Sequence, residues 1–518
     1  MRAFVVVIHY VFSNTIVFTI FPFQIITQNE KPILTCFIFL VMPFFGRSQN
    51  PQLIEDFAKH IKTSTAFAFN GHLNIMQTSS DDDKFNLTAI NDKMQVVWKT
   101  TLNGYNIQID KFKDKVLALA SSSHSTVKGT NNTFIAYLLD AETGKLLLNK
   151  VIYQSSDEYF EFPQMCTGDG NFFALAVRQC GIKRNISLGA GYVAFFSNKY
   201  THEYNETRNI KVTTYNEQLD SVSSFKPIIS NGTFISLTWN KNADMFISWF
   251  NGPSIEVYKY NTGKTTPANQ LTVPVAFKEN KNLIPKNLLF MQPSENKNVL
   301  YYSMIYLNED KDPELGIGKL DFETSKNLFV TQVIDKKVLK AVKKSFIPAN
   351  KSIDDVDFGN TKGMNIKYIN EVSGKLIITM ASNISVSGSY GSALYENSLL
   401  LNVCDENLNL KFQQVLPANS KYPNKALTTS YHISGNKLYM VANAKKGLAA
   451  NVCIYGALNL NTGKWEAMDY LSKKHIDNNN FSEGSSVLWY DNNYIVPYFD
   501  PKGLMDSKYN VTLQLNNY

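Results

Sequence analysis

Along most of the chain, a short polar cluster is followed by a run in which apolar and polar residues alternate. "NGHLNIMQTSS" (70–80), "KDKVLALASSS" (113–123) and "GDGNFFALAVR" (168–178) show the pattern first. It returns as "NADMFISWF" (242–250), "ENKNVLYYSMI" (295–305) and "SGKLIITMASN" (373–383), then as "SGNKLYMVANA" (434–444) and "DNNYIVPYF" (491–499). Alternation of period two is the signature of a strand with two different faces. A shorter apolar stretch precedes each copy, such as "NIQIDKF" (106–112) or "TTSYHI" (428–433). After each copy come a strand, a tight turn and another strand. "LLDAETGKLLLNKVI" (138–152) is the clearest case. The turns "NDKM" (91–94), "NEQLD" (216–220), "NTGK" (261–264), "ETSK" (323–326), "DENLN" (405–409) and "NTGK" (461–464) are rich in Asn, Asp and Gly, which suit tight bends and tolerate positive φ.

Four antiparallel strands repeated about eight times predict an all-β chain folded as a β-propeller with eight four-stranded blades. Seven blades is the alternative, if the first or last unit is merged. Two segments have helical spacing instead, "LIEDFAKHIK" (53–62) and "KKVLKAVKKS" (336–345). The second is basic and amphipathic and reads as a short helix in a linking loop. The last repeat stops at "KYNVTLQLNNY" (508–518), one strand short of a blade. A bare sheet edge is a liability, so part of 49–62 is expected to pair with Asn510–Leu515 and close the ring.

Asp140-Ala141-Glu142-Thr143-Gly144-Lys145 followed by aliphatics, and "NLNTGKW" (459–465), resemble the D-x-x-T-G-K repeats of the pyrroloquinoline-quinone-type propeller superfamily. The resemblance covers most of 64–518 as a style of repeat. It implies the fold and says little about activity. Quinone dehydrogenases of that family carry adjacent cysteines above the cofactor, and this chain has no Cys-Cys.

The N-terminal part differs. Residues 32–45, "PILTCFIFLVMPFF", have the length of a signal-peptide core and are too short to span a bilayer. Gly46-Arg47-Ser48 supplies small residues before a cut at Gln49, so 31–48 reads as a signal peptide and 49–518 as the propeller. The apolar stretch within 1–30 reads as a start placed too early, with a transmembrane helix as the alternative. Export to the periplasm, outer envelope or exterior follows, with no stable membrane span in the mature chain. Cys36 lies inside the apolar core and makes a poor lipid anchor. Cys166, Cys180, Cys404 and Cys453 have no CxxC spacing and read as buried thiols.

Charge adds little. Of the net +7, residues 1–48 hold Arg2, Lys31, Arg47 and Glu30, a net +2, leaving 7 − 2 = +5 for the remainder. No dense basic stripe is evident along the sequence, so nucleic acid is not an expected partner. A monomer binding a protein, peptide or glycan is.

In a four-strand meander, first-to-second and third-to-fourth turns share one end of the blade. Second-to-third connections and blade-to-blade links share the other. The insertions 179–209, 306–315, 335–363, 384–398 and 500–509 fall almost entirely in the latter group, so one end is elaborated and the other trimmed. Long loops on a rigid scaffold carry binding. Cations and aromatics in this group give the candidate ligand-binding residues Arg178, Arg184, Tyr192, His202, Tyr390, Tyr395, Lys445, Lys446 and Tyr498. No catalytic or metal-binding set is assigned.

Other motifs fail. Gly263-Lys264-Thr265 lacks the Gly of a phosphate loop, because Tyr258 stands there. Asp310, Asp312 and Glu314 alternate like calcium ligands, but Gly316 is one place late and Pro313 stiffens the middle. No cofactor is expected, with calcium there as the alternative. Neither HExxH nor GxSxG occurs. Carboxylates gathered from distant blades are invisible in a linear sequence, so a glycan-active hydrolase or lyase stays an alternative to a binding protein. An outer-envelope assembly scaffold is the third reading.

Overall fold

The computed structural model describes residues 10–12, 15–17, 52–80, 83–122, 132–155, 160–168, 172–187, 197–229, 232–251, 254–274, 289–307, 313–346, 356–358, 363–388, 391–423, 429–446, 450–471, 481–501 and 508–518. The chain divides into two units, Met1–Gln52 and Leu53–Tyr518. In the first, Tyr10–Phe12 pairs antiparallel with Thr15–Val17. The expected signal segment 31–48 lies outside the described residues. Among the described residues, no helix is long and apolar enough to cross a membrane.

The second unit is a β-propeller of eight four-stranded antiparallel blades. Blades 1 to 7 are meanders of consecutive chain, over 63–103, 105–155, 160–225, 233–274, 290–333, 364–423 and 430–471. Blade 8 takes three strands from 488–517 and its outermost from Leu53–Ile61. That strand lies against Tyr509–Asn517, with Ile54 opposite Leu513, Ala58 opposite Val511 and Ile61 opposite Tyr509. The expected closure is therefore present. The helical spacing of "LIEDFAKHIK" has a physical origin in this strand. Its register breaks twice, and Asp56 and His60 sit at φ 52° and 56°. The breaks let Ile54, Phe57, Ala58 and Ile61 all pack on the same core, a spacing a regular strand cannot achieve.

The apolar core among the described residues is divided into eight clusters, each in the seam between two neighbouring blades. Strict alternation feeds two seams from one strand. In blade 2, Val116, Ala118 and Ala120 face blade 1, while Leu117 and Leu119 face blade 3. In blade 6, Leu376, Ile378 and Met380 face blade 5, while Ile377 and Ala381 face blade 7. The first strands are short and mostly half-buried, as befits strands that line the axis.

Lys336–Ser345 is the α-helix expected in the link between blades 5 and 6. Asp335 caps its start by accepting from the Val338 N–H at 2.7 Å. Leu339 and Val342 bury one side of it in the seam. The four described cysteines are thiols. Cys180, Cys404 and Cys453 are buried and Cys166 is half-buried. Cys166 lies opposite Ala174, and Cys180 opposite Phe160.

Candidate functional site

The two ends of the disc are built by different means. At the trimmed end, short turns close on their own polar side chains. Asp140 Oδ1 accepts from the N–H groups of Glu142 and Thr143 at 3.1 and 2.8 Å, and from Thr143 Oγ1 at 2.7 Å. Together with Lys115 and Glu217 nearby, this end is laced by local bonds. Asn459, Asp405, Asn216 and Asn91 cap their turns in the same way. Hydrogen bonds from its turn hold the Asp140 carboxyl below the usual carboxylate value.

The Thr-Gly-Lys turn has a further task. Gly144, at φ 68°, lies against the indole of Trp98 in the fourth strand of blade 1, and a Cβ there would collide with the ring. Trp98 Nε1 donates to the Ala141 carbonyl at 2.8 Å, and Thr100 Oγ1 to that of Gly144 at 2.6 Å. Blade 7 repeats the device against blade 6. Gly463 faces the ring of Phe412, and Gln414 Nε2 donates to the Gly463 carbonyl at 2.6 Å. The turn is a latch between blades, with glycine required for close approach.

The other end is extended. Two of the expected long loops are largely strand. In blade 3, Phe173–Ser187 and Ser197–Tyr215 stay paired from Phe173 opposite Tyr215 out to Ser187 opposite Ser197. In blade 6, Lys375–Gly388 and Gly391–Asp405 pair out to Gly388 opposite Gly391, and Leu410–Pro423 joins as a third strand. The insertions are thus ribbons continuous with the blades, which corrects the expectation of loops. Regular pairing satisfies their backbone groups.

The sequence-derived candidates scatter over this frame. Arg184 lies opposite Tyr200 and His202 opposite Ile182 in the blade 3 ribbon. Tyr395 lies opposite Ile384 and Lys421 in blade 6. Lys445 and Lys446 lie opposite Asn451 and Ala450 in blade 7. Tyr192 and Tyr390 are outside the described residues, as are Asp310 and Asp312. Glu314 lies in a strand opposite Val333.

Arg178 stands at the base of the blade 3 ribbon. Its guanidinium lies 4.3 Å from the centre of the Phe234 ring of blade 4, and Nη1 donates to Thr207 Oγ1 at 3.3 Å. Burial lowers its pKa. These contacts tie the ribbon base to the next blade. Tyr498 is only 2% exposed and packs with Tyr455, Tyr494 and Val496 in the seam of blades 7 and 8. Its hydroxyl donates to the Leu471 carbonyl at 3.5 Å, and burial pushes its pKa up.

A polar group that the sequence reading did not single out lies where blades 6 and 7 meet. The rings of Tyr368 and Tyr431, on the two first strands, stack at 4.0 Å and 8°. Tyr431 Oη shares a 2.8 Å hydrogen bond with Thr379 Oγ1. Lys367 Nζ is 2.5 Å from Glu396 Oε2, with the two side chains 21% and 11% exposed. Burial pushes Tyr368 up to about 12 and Tyr431 higher still, so both phenols stay neutral donors. The arrangement offers an aromatic face, hydroxyls and a paired charge. Its signal was "TTSYHI", which holds Tyr431 but is too short to show which side chains face the axis. Among the described residues, no three His, Cys, Asp or Glu side chains gather as a metal site would require.

No protein-family model and no curated protein matches the chain. Solved structures similar to it are distant. The WD40 domain of SCAP from fission yeast is 9% identical, with a TM-score of 0.39 over 90% of this chain and 98% of that one. The Dos1 propeller is 8% identical, with a TM-score of 0.40 over 90% and 95%. The uncharacterized protein lmo1340 from Listeria monocytogenes is 9% identical, with a TM-score of 0.38 over 81% and 97%.

Proposed function

We propose that this is an exported propeller that binds a protein, peptide or glycan through its elaborated end. The observation that carries the reading is the asymmetry of the disc. Described first-to-second and third-to-fourth connections run to at most the eight residues between Tyr260 and Asn269, whereas paired ribbons prolong blades 3 and 6 at the opposite end. A ribbon adds surface and ordered backbone beyond what ring closure needs. Export rests on the signal-like segment 31–48. We infer kinship with the quinoprotein-type repeats from the Thr-Gly-Lys turns at 143–145 and 462–464.

The test is a glycan and peptide array probed with the mature chain, beside a variant in which residues 182–202 are replaced by Asn-Gly. The ligand found with the full chain should be lost or weakened at least tenfold in the variant. Equal binding by both, or no ligand for either, overturns the reading.

A second reading, an assembly scaffold, draws on the outer strands. Val96 and Val97 in blade 1 and Leu146, Leu147 and Val151 in blade 2 are 39–49% exposed beside an open strand edge. A partner strand captured there would be sensitive to Leu147→Lys and indifferent to the ribbon cut.

A further inference from the structure

The helix Lys336–Ser345 is unlike the rest of the surface. Lys336, Lys337, Lys340, Lys343 and Lys344 are all exposed, while Leu339 and Val342 are buried. At 3.6 residues per turn, the five lysines fall within an arc of about 120°, opposite the buried side. At 1.5 Å per residue the stripe runs about 12 Å, with charges about 6 Å apart along one line. The sequence showed no dense basic stripe because two valines, a leucine and an alanine interrupt it. Coiling removes the interruptions.

Most lysines near carboxylates in this protein are neutralised. Lys113, Lys115, Lys150, Lys259, Lys367, Lys411 and Lys437 each have an acidic partner. Lys336, Lys337, Lys340 and Lys344 have no ion pair among the described residues. Like charges four residues apart on a helix repel. The capping bond from Asp335 and the burial of Leu339 and Val342 hold the helix against that repulsion. Lys343 and Lys344 lie in the last turn, where positive charge suits the helix dipole, but Lys336, Lys337 and Lys340 gain nothing from it, and an anion would relieve their repulsion.

We infer that this helix docks a linear acidic polysaccharide, sulfated or rich in uronate, along its lysine stripe. Three physical points select that class. The apolar side of the helix is occupied by the seam between blades 5 and 6, so it cannot insert into a lipid surface as an amphipathic helix does. The exposed side has no aromatic or Arg anchor of the kind a protein partner needs at an interface centre. Its only base-reading side chains are Lys and one Ser, without the Arg, Asn or Gln that would add guanine and adenine selectivity. What remains is a row of compact point charges, suited to a polymer that carries an anionic group on successive sugars. The inference stands apart from the ribbon reading, because it needs only this helix.

The test measures binding of the mature chain to heparin across a salt series. Two triple variants are compared, Lys336→Gln/Lys340→Gln/Lys344→Gln and a control, Lys145→Gln/Lys264→Gln/Lys326→Gln. The control removes the same charge from exposed turns at the trimmed end. The helix variant should lose about tenfold in affinity and show a shallower salt dependence. The control should stay within about twofold of the parent. The ribbon-cut variant should keep heparin binding, which separates this idea from the proposed function. Thermal melts confirm that the exposed substitutions leave the fold intact. The inference is overturned if the parent fails to bind heparin, or if both triple variants weaken equally, since net charge alone would then act. Tighter binding to duplex DNA or to phosphatidylglycerol vesicles than to heparin also overturns it, by giving the stripe to another class of partner.

Discussion

The trimmed end and the elaborated end of this disc solve the same problem differently. Both must satisfy backbone groups where strands stop. The trimmed end does it with side chains. An Asn or Asp at the head of several turns accepts from N–H groups two to four residues on, and at Gly144 and Gly463 a glycine lets the turn rest on the neighbouring blade. The elaborated end does it by not stopping. Strands run on as ribbons that pair with themselves. The latch contacts of Trp98 and Gln414 tie neighbouring blades at the trimmed end, whereas the ribbon strands pair with each other. Stability should therefore reside at one end and freedom to vary at the other.

That contrast can be broken by substitution. The largest loss is expected from Trp98→Ala, which removes an 8% exposed indole, its bond to Ala141 and its seat under Gly144. A cost of about 3–5 kcal/mol should show as a lower denaturant midpoint. A result near zero would mean that the latch does not hold blades 1 and 2 together. Asn240→Ala comes next. This 5% exposed residue accepts from Asn242 N and Asp244 N, and donates to Asp244 and to the Lys297 carbonyl of blade 5. A loss of about 1–3 kcal/mol is expected by the same measurement.

A smaller effect sharpens the picture through pH. His432, near the trimmed end of blade 7, stacks on Trp489 at 5.2 Å and 10°. Burial lowers its pKa from 6.5, against the opposing pull of Asp491. The unfolded chain then binds the proton more readily, so stability rises with pH up to about 6.5 and falls on acidification below it. His432→Phe keeps a ring in the stack and should flatten that slope, seen in denaturation at pH 5 and pH 7.5. An unchanged slope would remove His432 as its source. The smallest effect belongs to the ribbon. Replacing 182–202 by Asn-Gly should leave the melting midpoint almost unmoved, and a large drop would make the ribbon structural.

The blade count, the latch turns and the closing strand were legible because each leaves a local trace. Alternation writes itself as "KDKVLALASSS", and a turn as "DAETGK". The ribbons were not, because "RQCGIKRNISLG" carries no regular apolar alternation to mark a strand. Tyr498 was placed on the binding face, although it shares parity with Tyr494 and Val496 and therefore turns inward with them. Its strand simply runs on to Pro501. The axial pair Tyr368 and Tyr431 was hidden because the contact spans two blades. The basic amphipathic helix was legible in "KKVLKAVKKS", and the alignment of its lysines along one side follows from the helical repeat.

Ring closure sets an order in time. Leu53–Ile61 is made long before Tyr509–Asn517, which among the described residues is its one sheet neighbour. Seven blades can assemble as they emerge, but the eighth waits until Tyr509–Asn517 has been synthesised. Until then its apolar stripe of Ile54, Phe57 and Ile61 has no seam to enter. Circularity is thus conferred last, by two segments that more than 440 residues of chain hold apart until they pair.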